Sequence, residues 1–144
     1  MKTPTKLLSL ALIAAGGVAL AKEGVQNPVV KERMEVMSVI GANTKVLGGM
    51  AGGKMDFDAA KATAAAGEIE AAAARVAAVF EAQETDPVSE AKPEIWTNWD
   101  DFVTKADALT QAAAAMDTSS LEGVQAGMGA IGGSCKSCHS DYRL

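Results

Sequence analysis

The apolar residues of this chain recur at intervals of three and four, as in amphipathic helices, and no segment shows the alternation typical of strands. The first helical segment begins at Asn27-Pro28, because asparagine is a favoured N-cap and proline is favoured at the first helical position. We predict that it ends near Leu47, before a glycine-rich stretch at residues 48–53. Its apolar face comprises Val30, Met34, Met37, Gly41 and Thr44.

The second segment is dominated by alanine, the strongest helix former. We predict that Asp56 caps this helix and that the helix runs to about Gln83. Its face of small residues permits a neighbouring helix to approach closely. A polar, proline-flanked loop at residues 85–93 is predicted to follow.

The third segment is predicted to run from Pro93 to about Met116. A kink is expected near Trp96, because Asn98 can cap a main helix after a short first turn.

The fourth segment is predicted to begin with a capping box formed by Ser119 and Glu122. Four amphipathic helices without a strand pattern predict an all-α fold, an antiparallel four-helix bundle. The apolar stripe of the last helix comprises Leu121, Val124, Met128, Ile131, Cys135 and Cys138, and His139 and Tyr142 extend it.

The first 21 residues have the features of a cleavable signal peptide. Lys2 and Lys6 form a basic region, an apolar stretch follows at residues 7–15, and residues 19–21 match the small-x-small cleavage pattern. The apolar stretch is short for a transmembrane helix. We therefore predict that cleavage leaves one domain, residues 22–144, with no membrane attachment.

Both cysteines and the only histidine lie within five residues, Cys135-Lys136-Ser137-Cys138-His139. A C-x-x-C-H run is the attachment signature of c-type haem, in which two thiols bind the haem and the histidine ligates the iron. On a helix, both thiols project to one side and the histidine follows one turn after the first cysteine. A zinc site would need about four ligands, and a thioredoxin-like motif would need a βαβ setting. We predict one covalently bound haem c near the C-terminal helix.

Two features of the composition fit a bound cofactor. Aromatic residues make up only 4% of the chain, which is low for a domain core. A porphyrin would supply the missing apolar volume. The last helix also carries glycines at positions 127, 129, 132 and 133. Each costs an isolated helix about 1 kcal/mol relative to alanine, which makes sense if a flat group lies against the backbone.

The net charge indicates which partners are compatible with this protein, and the haem motif indicates its location. The formal charge of −5 becomes −7 when the two lysines of the leader are removed. An acidic surface argues against nucleic acid and anionic lipid as partners, and it suits a basic patch on a redox partner protein. Because c-type haem is attached after export, the predicted location is the bacterial periplasm.

The second axial position of the iron stays open at this point. A single histidine excludes bis-histidine ligation within one chain, so the sixth position is empty, filled by methionine or open to an exogenous ligand. Met37 is the best internal candidate because it lies mid-helix on the apolar face, although methionine in such a stripe is usually packing. Arg33 and Arg143 are either propionate partners or solvated surface charges.

Three stretches carry a resemblance to a known family: residues 33–37 (RMEVM), residues 93–96 (PEIW) and residues 135–143. Together they make the chain from residue 29 to residue 143 resemble the class II c-type cytochromes, the cytochrome c′ and cytochrome c-556 family. The motif in the last helix is typical of class II.

This resemblance implies roles for individual residues. Cys135 and Cys138 are expected to hold the haem, and His139 to be the proximal iron ligand. Arg33 occupies the propionate-side arginine position, and Arg143 closes the C-x-x-C-H-x-x-[YF]-[RK] pattern near the proximal face.

Met37 falls at the family's distal position, and here the family divides. In cytochrome c-556-like members a methionine at this position ligates the iron, which gives a low-spin electron carrier. In cytochrome c′-like members the iron is five-coordinate and high-spin and binds NO or CO. The residues around Met37 are somewhat closer to the c-556 type.

Two hypotheses follow from the sequence. The first is one-electron transfer in the periplasm by a mono-haem cytochrome with His139 and Met37 at the iron. The alternative is a five-coordinate protein that binds NO or CO. A haem enzyme is not expected, because no distal histidine is available as an acid or base. A homodimer formed through the first two helices is left open.

Overall fold

We analysed a computed structural model of the chain, which describes residues 24–144. The predicted signal peptide lies outside the described residues. The helices are α1 (Pro28–Ala51), α2 (Ala59–Ala74), α3 (Val76–Phe80), α4 (Glu94–Thr97), α5 (Trp99–Ala114) and α6 (Leu121–Tyr142).

Four long helices form the bundle, because α3 continues α2 after a break at Arg75 and α4 precedes α5 across Asn98. Each long helix packs against two others, in the closed order α1, α2, α5, α6. The predicted four-helix bundle is confirmed. No helix within residues 24–144 is long and apolar enough to span a bilayer.

The start of α1 is as predicted, but its end is not. The Asn27 side chain accepts hydrogen bonds from the backbone N–H groups of Val29 and Val30, at 2.9 and 3.2 Å. The helix then continues through Gly48 and Gly49 to Ala51. Since those glycines face Met128 and Met55, they serve close packing, and the helix ends only before Gly53, whose φ is +68°.

Two predicted caps were each displaced along the sequence. The α2 cap is Asp58, which accepts from the N–H of Lys61 at 3.0 Å, rather than Asp56. The α6 cap is Ser120, which accepts from the N–H of Gly123 at 3.0 Å. In both places the next polar residue along the chain performs the same chemistry.

The kink near Trp96 is confirmed. Asn98 separates α4 from α5 with φ and ψ of −121° and 44°, outside the helical region, but its side chain makes no capping hydrogen bond. The Trp96 indole N–H instead donates to the carbonyl of Phe80 at 2.8 Å. This bond ties the short helix α4 to the end of α3.

The core is mostly aliphatic, with one aromatic cluster. Phe102 lies at its centre, with its ring centroid 5.2 Å from Phe80, 5.6 Å from Trp99 and 5.4 Å from Tyr142. Both tryptophans, Trp96 and Trp99, are partly buried and pack against this core. The cluster lies at the end of the bundle where α6 finishes.

The loop after α3 is tied to the start of α1 by a buried carboxylate. Asp86 accepts hydrogen bonds from the backbone N–H groups of Gln26 and Asn27 at 2.8 and 2.9 Å, and from Val88 at 3.0 Å. These bonds, led by the one from Asn27, lower the pKa of Asp86. The carboxylate is therefore the form that fits this position.

Candidate functional site

The two cysteines and the histidine lie on the last two turns of α6. Cys135 and Cys138 are free thiols, each half-buried, and both pack against the hydrophobic core. Desolvation by burial raises the pKa of both thiols. The structure therefore brings the two sulfur atoms to the inner side of one helix.

His139 is exposed overall, although part of its ring is desolvated. This desolvation, followed by the positive charge of Arg143, lowers the pKa of His139. The neutral imidazole is the form that binds iron. The arrangement is thus two thiols and one neutral nitrogen donor within little more than one helical turn.

The contacts between α1 and α6 fix how these helices run past each other. A Cβ atom built on Gly48 would lie 3.7 Å from the Met128 Cε atom. The side-chain amide of Gln125 donates to the Ala51 carbonyl at 3.0 Å. A step of three residues up α1 thus matches three residues down α6, so the helices are antiparallel.

The same register relates the other ends of the two helices. Both rise about 1.5 Å per residue, so 11 residues back from Gly48 and 11 forward from Met128 reach the same height. Those residues are Met37 and His139. Gly41 and Cys135 are paired in height by the same count.

Space is open beside Gly41, which is level with Cys135 in this register. A Cβ atom built on Gly41 would meet no atom within 4 Å, whereas one built on Gly48 would come into van der Waals range of Met128. The open space beside Gly41 is therefore available to a flat group attached to the thiols.

The donor set fits a c-type haem better than a bare metal ion. Two thiols three residues apart with an adjacent histidine suit two thioether bonds and one iron bond. In the described part of the chain, no group of three or more His, Cys, Asp or Glu side chains is placed to hold a metal ion by itself.

A family model described as "Cytochrome C'" matches residues 28–143. The chain belongs to the cytochrome c′ family. A cytochrome c-554 from Cereibacter sphaeroides is 31% identical, and the match covers 97% of this chain and 95% of that protein. A cytochrome c-556 from Agrobacterium fabrum is 33% identical, with 100% and 96% coverage.

Solved structures agree with the sequence relatives. Cytochrome c′ from Rhodopseudomonas palustris has a TM-score of 0.75 at 29% identity, covering 83% of this chain and 98% of that one. A ferrous variant of cytochrome c prime from Alcaligenes xylosoxidans with bound NO has a TM-score of 0.70 at 26% identity, with 81% and 94% coverage. As a cytochrome c′ family member, the chain binds one covalently attached haem c.

Arg33 is buried, with only 2% of its surface exposed. Its Nε donates to the Val79 carbonyl at 3.0 Å and its Nη1 to the Glu84 carbonyl at 2.9 Å, and Nη2 donates to the Ala82 carbonyl. Burial lowers the pKa of this guanidinium. Arg33 is therefore not the solvated surface charge that was one of the two alternatives.

Aromatic rings complete the surroundings of Arg33. The guanidinium carbon lies 4.9 Å from the ring centre of Phe80 and 5.3 Å from that of Trp96. Both distances are in the range of cation–π contacts. Three carbonyl bonds leave N–H groups on the terminal nitrogens for a further acceptor, since a guanidinium has five. The predicted role of Arg33 beside the haem stays a prediction.

Arg143 is exposed and pairs with Glu90, its Nε lying 2.7 Å from a Glu90 oxygen. An isolated β-bridge joins Arg143 to Ala91. The structure thus ties Arg143 to the loop before α4. Its predicted place in the haem environment is likewise still a prediction.

Sequence reasoning missed one group beside the motif. Lys105 bonds Asp101 and Asp141, and the Tyr142 hydroxyl donates to Asp101 at 2.6 Å. The i, i+4 spacing of Asp101 and Lys105 was the signal available. The bonds from Asp101 and Lys105 to α6 join residues far apart in the sequence, so local spacing does not predict them.

Proposed function

We propose that this protein is a periplasmic one-electron carrier whose haem lies between α1 and α6. Cys135 and Cys138 would hold the group through thioether bonds, His139 would bind the iron on one face, and Met37 on the other. The bound haem supplies the redox chemistry, since its iron alternates between Fe(III) and Fe(II). The expected partners are periplasmic redox proteins.

The observation that carries this proposal is the register of α1 and α6. Met37 and His139 lie at one height on facing helices, and the space beside Gly41 is open. Met37 is half-buried and packs against the core, so its side chain is directed inward. A thioether directed inward at the height of the histidine is the arrangement that an iron bridging two helices needs.

The protein's own residues would tune this centre. Arg33 contributes a buried positive charge one turn before Met37. A positive charge near a haem stabilises the reduced state, and burial strengthens the effect because the local dielectric is low. Export to the periplasm is supported by the signal-peptide pattern of the first 21 residues.

A five-coordinate protein that binds NO or CO is the second candidate function. It is supported by the relatives of known structure from Alcaligenes xylosoxidans, which were solved as nitric oxide complexes. In this case Met37 would cover the distal face without binding the iron.

The absorption spectrum of the purified protein distinguishes the two functions. For the electron carrier we expect a low-spin ferric spectrum with a methionine-to-iron charge-transfer band, which Met37→Ala removes. Met34→Ala is the matched control, because Met34 is also half-buried on α1 and should leave the band unchanged. A high-spin ferric spectrum that Met37→Ala does not change would reject methionine ligation and favour gas binding.

A further inference from the structure

The last turns of α6 carry the haem-binding residues, although the helix has a low intrinsic stability. They carry both thiols and the histidine, yet the preceding turns hold glycines at 127, 129, 132 and 133. Glycine destabilises a helix interior, and helix ends fray. A ligand that must stay fixed beside an iron atom therefore needs support from outside its own helix.

That support comes from α5. The Tyr142 side chain follows His139 by three residues and Cys138 by four, so it lies on the same side of α6. Its hydroxyl donates to Asp101 on α5 at 2.6 Å, and its ring packs edge-on against Phe102, with centroids 5.4 Å apart. The residue is 95% buried, since only 5% of its surface is exposed.

Lys105 completes the connection one turn along α5. Its ammonium lies 3.1 Å from Asp101, pairs with Asp141 on α6, and lies 5.2 Å from the centre of the Tyr142 ring. Only 19% of the Lys105 side chain is exposed, although both aspartates are about half exposed. The Tyr142 hydroxyl bond is thus the most shielded link of the group.

We propose that Tyr142, Asp101 and Lys105 form a positioning network that holds the histidine-bearing turn of α6 on α5 and so sets the iron–His139 bond. Tyr142 is a positioning residue here, because it acts through the helix and not on the iron. The proposal rests on the proposed function in one respect, namely that His139 is the iron ligand.

The test is Tyr142→Phe in the haem-loaded protein, since this change removes the hydroxyl and keeps the ring packing. Hydrogen exchange of the amides from residue 138 to 142 should quicken by about tenfold, the size expected when one hydrogen bond to a charged group is lost. Thr104→Val is the matched control. Thr104 lies on α5 next to Lys105, and its hydroxyl donates to the Asp100 carbonyl of its own helix, at 2.8 Å.

The second measurement is the reduction potential, which a merely structural bond would not change. A looser imidazole donates less to the iron and stabilises Fe(III) less, so Tyr142→Phe should raise the potential. A threefold to tenfold change in the Fe(III)/Fe(II) balance is expected, and tenfold corresponds to about 59 mV for one electron. Thr104→Val should keep the wild-type potential.

Asp101 supplies a second pair of variants. Asp101→Asn keeps an oxygen that accepts from Tyr142 and should keep the slow exchange, whereas Asp101→Ala should quicken exchange as Tyr142→Phe does. Wild-type exchange in Tyr142→Phe would overturn the proposal. Faster exchange with an unchanged potential would overturn it too, because the network would then be uncoupled from the iron.

A failure of the ligand assignment looks different. His139→Ala would then leave the absorption spectrum unchanged, whatever the exchange rates of the Tyr142 and Asp101 variants.

Discussion

Along its last turns α1 packs directly on α6, through Gly48 and Ala51. Along its first turns α1 is held by the loop that follows α3, through Arg33 and Asp86. We call these the packed end and the open end of α1. The difference shows how a long helix can be fixed at both ends by different parts of the fold, so that the space beside Gly41 stays open without a loss of contacts at either end.

The largest expected effect concerns what fills the open space beside Gly41. In the double variant Cys135→Ser/Cys138→Ser, no thioether can form, so haem should be lost completely when the protein is denatured. Staining of a denaturing gel for haem measures this. Ser137→Ala lies between the two cysteines and should keep the stain. Haem that stays bound to the double variant through denaturation would contradict the attachment.

The next effect concerns the hold on α1 at the open end. Arg33→Met should lower the free energy of unfolding by about 3 kcal/mol, because three carbonyls, one of them in the buried residue Val79, lose a charged donor. Arg75→Met is the matched control. Its guanidinium pairs with Glu32 on the surface at 2.7 Å, and such pairs contribute about 0–1 kcal/mol. Urea unfolding compares the variants, and equal losses would mean that the loop does not hold α1.

The smallest effect contrasts two glycines of α6. A Cβ atom on Gly123 would clash with the Asp117 carbonyl oxygen, so Gly123→Ala should destabilise the fold by about 1–3 kcal/mol. Gly133 is exposed, and two residues from Cys135 it lies on the opposite side of α6 from that thiol. A Cβ atom there would meet nothing within 4 Å, so Gly133→Ala should stabilise the helix by up to about 1 kcal/mol. Thermal unfolding measures both, and changes of the same sign would contradict the contrast.

The helical segments were predictable because their three-and-four spacing is local. The helix ends were less so, since whether Gly48 and Gly49 stop α1 depends on Met128 and Met55, which contact them from elsewhere in the fold. A sequence shows a glycine pair but not the side chain that fills the space beside it.

In the candidate site, too, the local features were predictable from the sequence and the long-range contacts were not. Cys135, Cys138 and His139 lie within five residues of one helix, so their proximity follows from the helix alone. The Arg33 bonds reach carbonyls 46 to 51 residues away, and the Tyr142 bond to Asp101 spans 41 residues. Every residue has a backbone carbonyl, so a sequence does not show which carbonyls will surround Arg33. Its burial could therefore not be predicted.

The Asp86 bonds to Gln26 and Asn27 also set a practical limit on trimming the protein. A fragment that begins at Val29 lacks both N–H donors and the Asn27 cap, so the first turn of α1 and the loop that it holds should become targets for proteases. The shortest fragment that keeps the native fold should therefore begin no later than Gln26. Limited proteolysis of a nested series of fragments would locate this boundary to the residue.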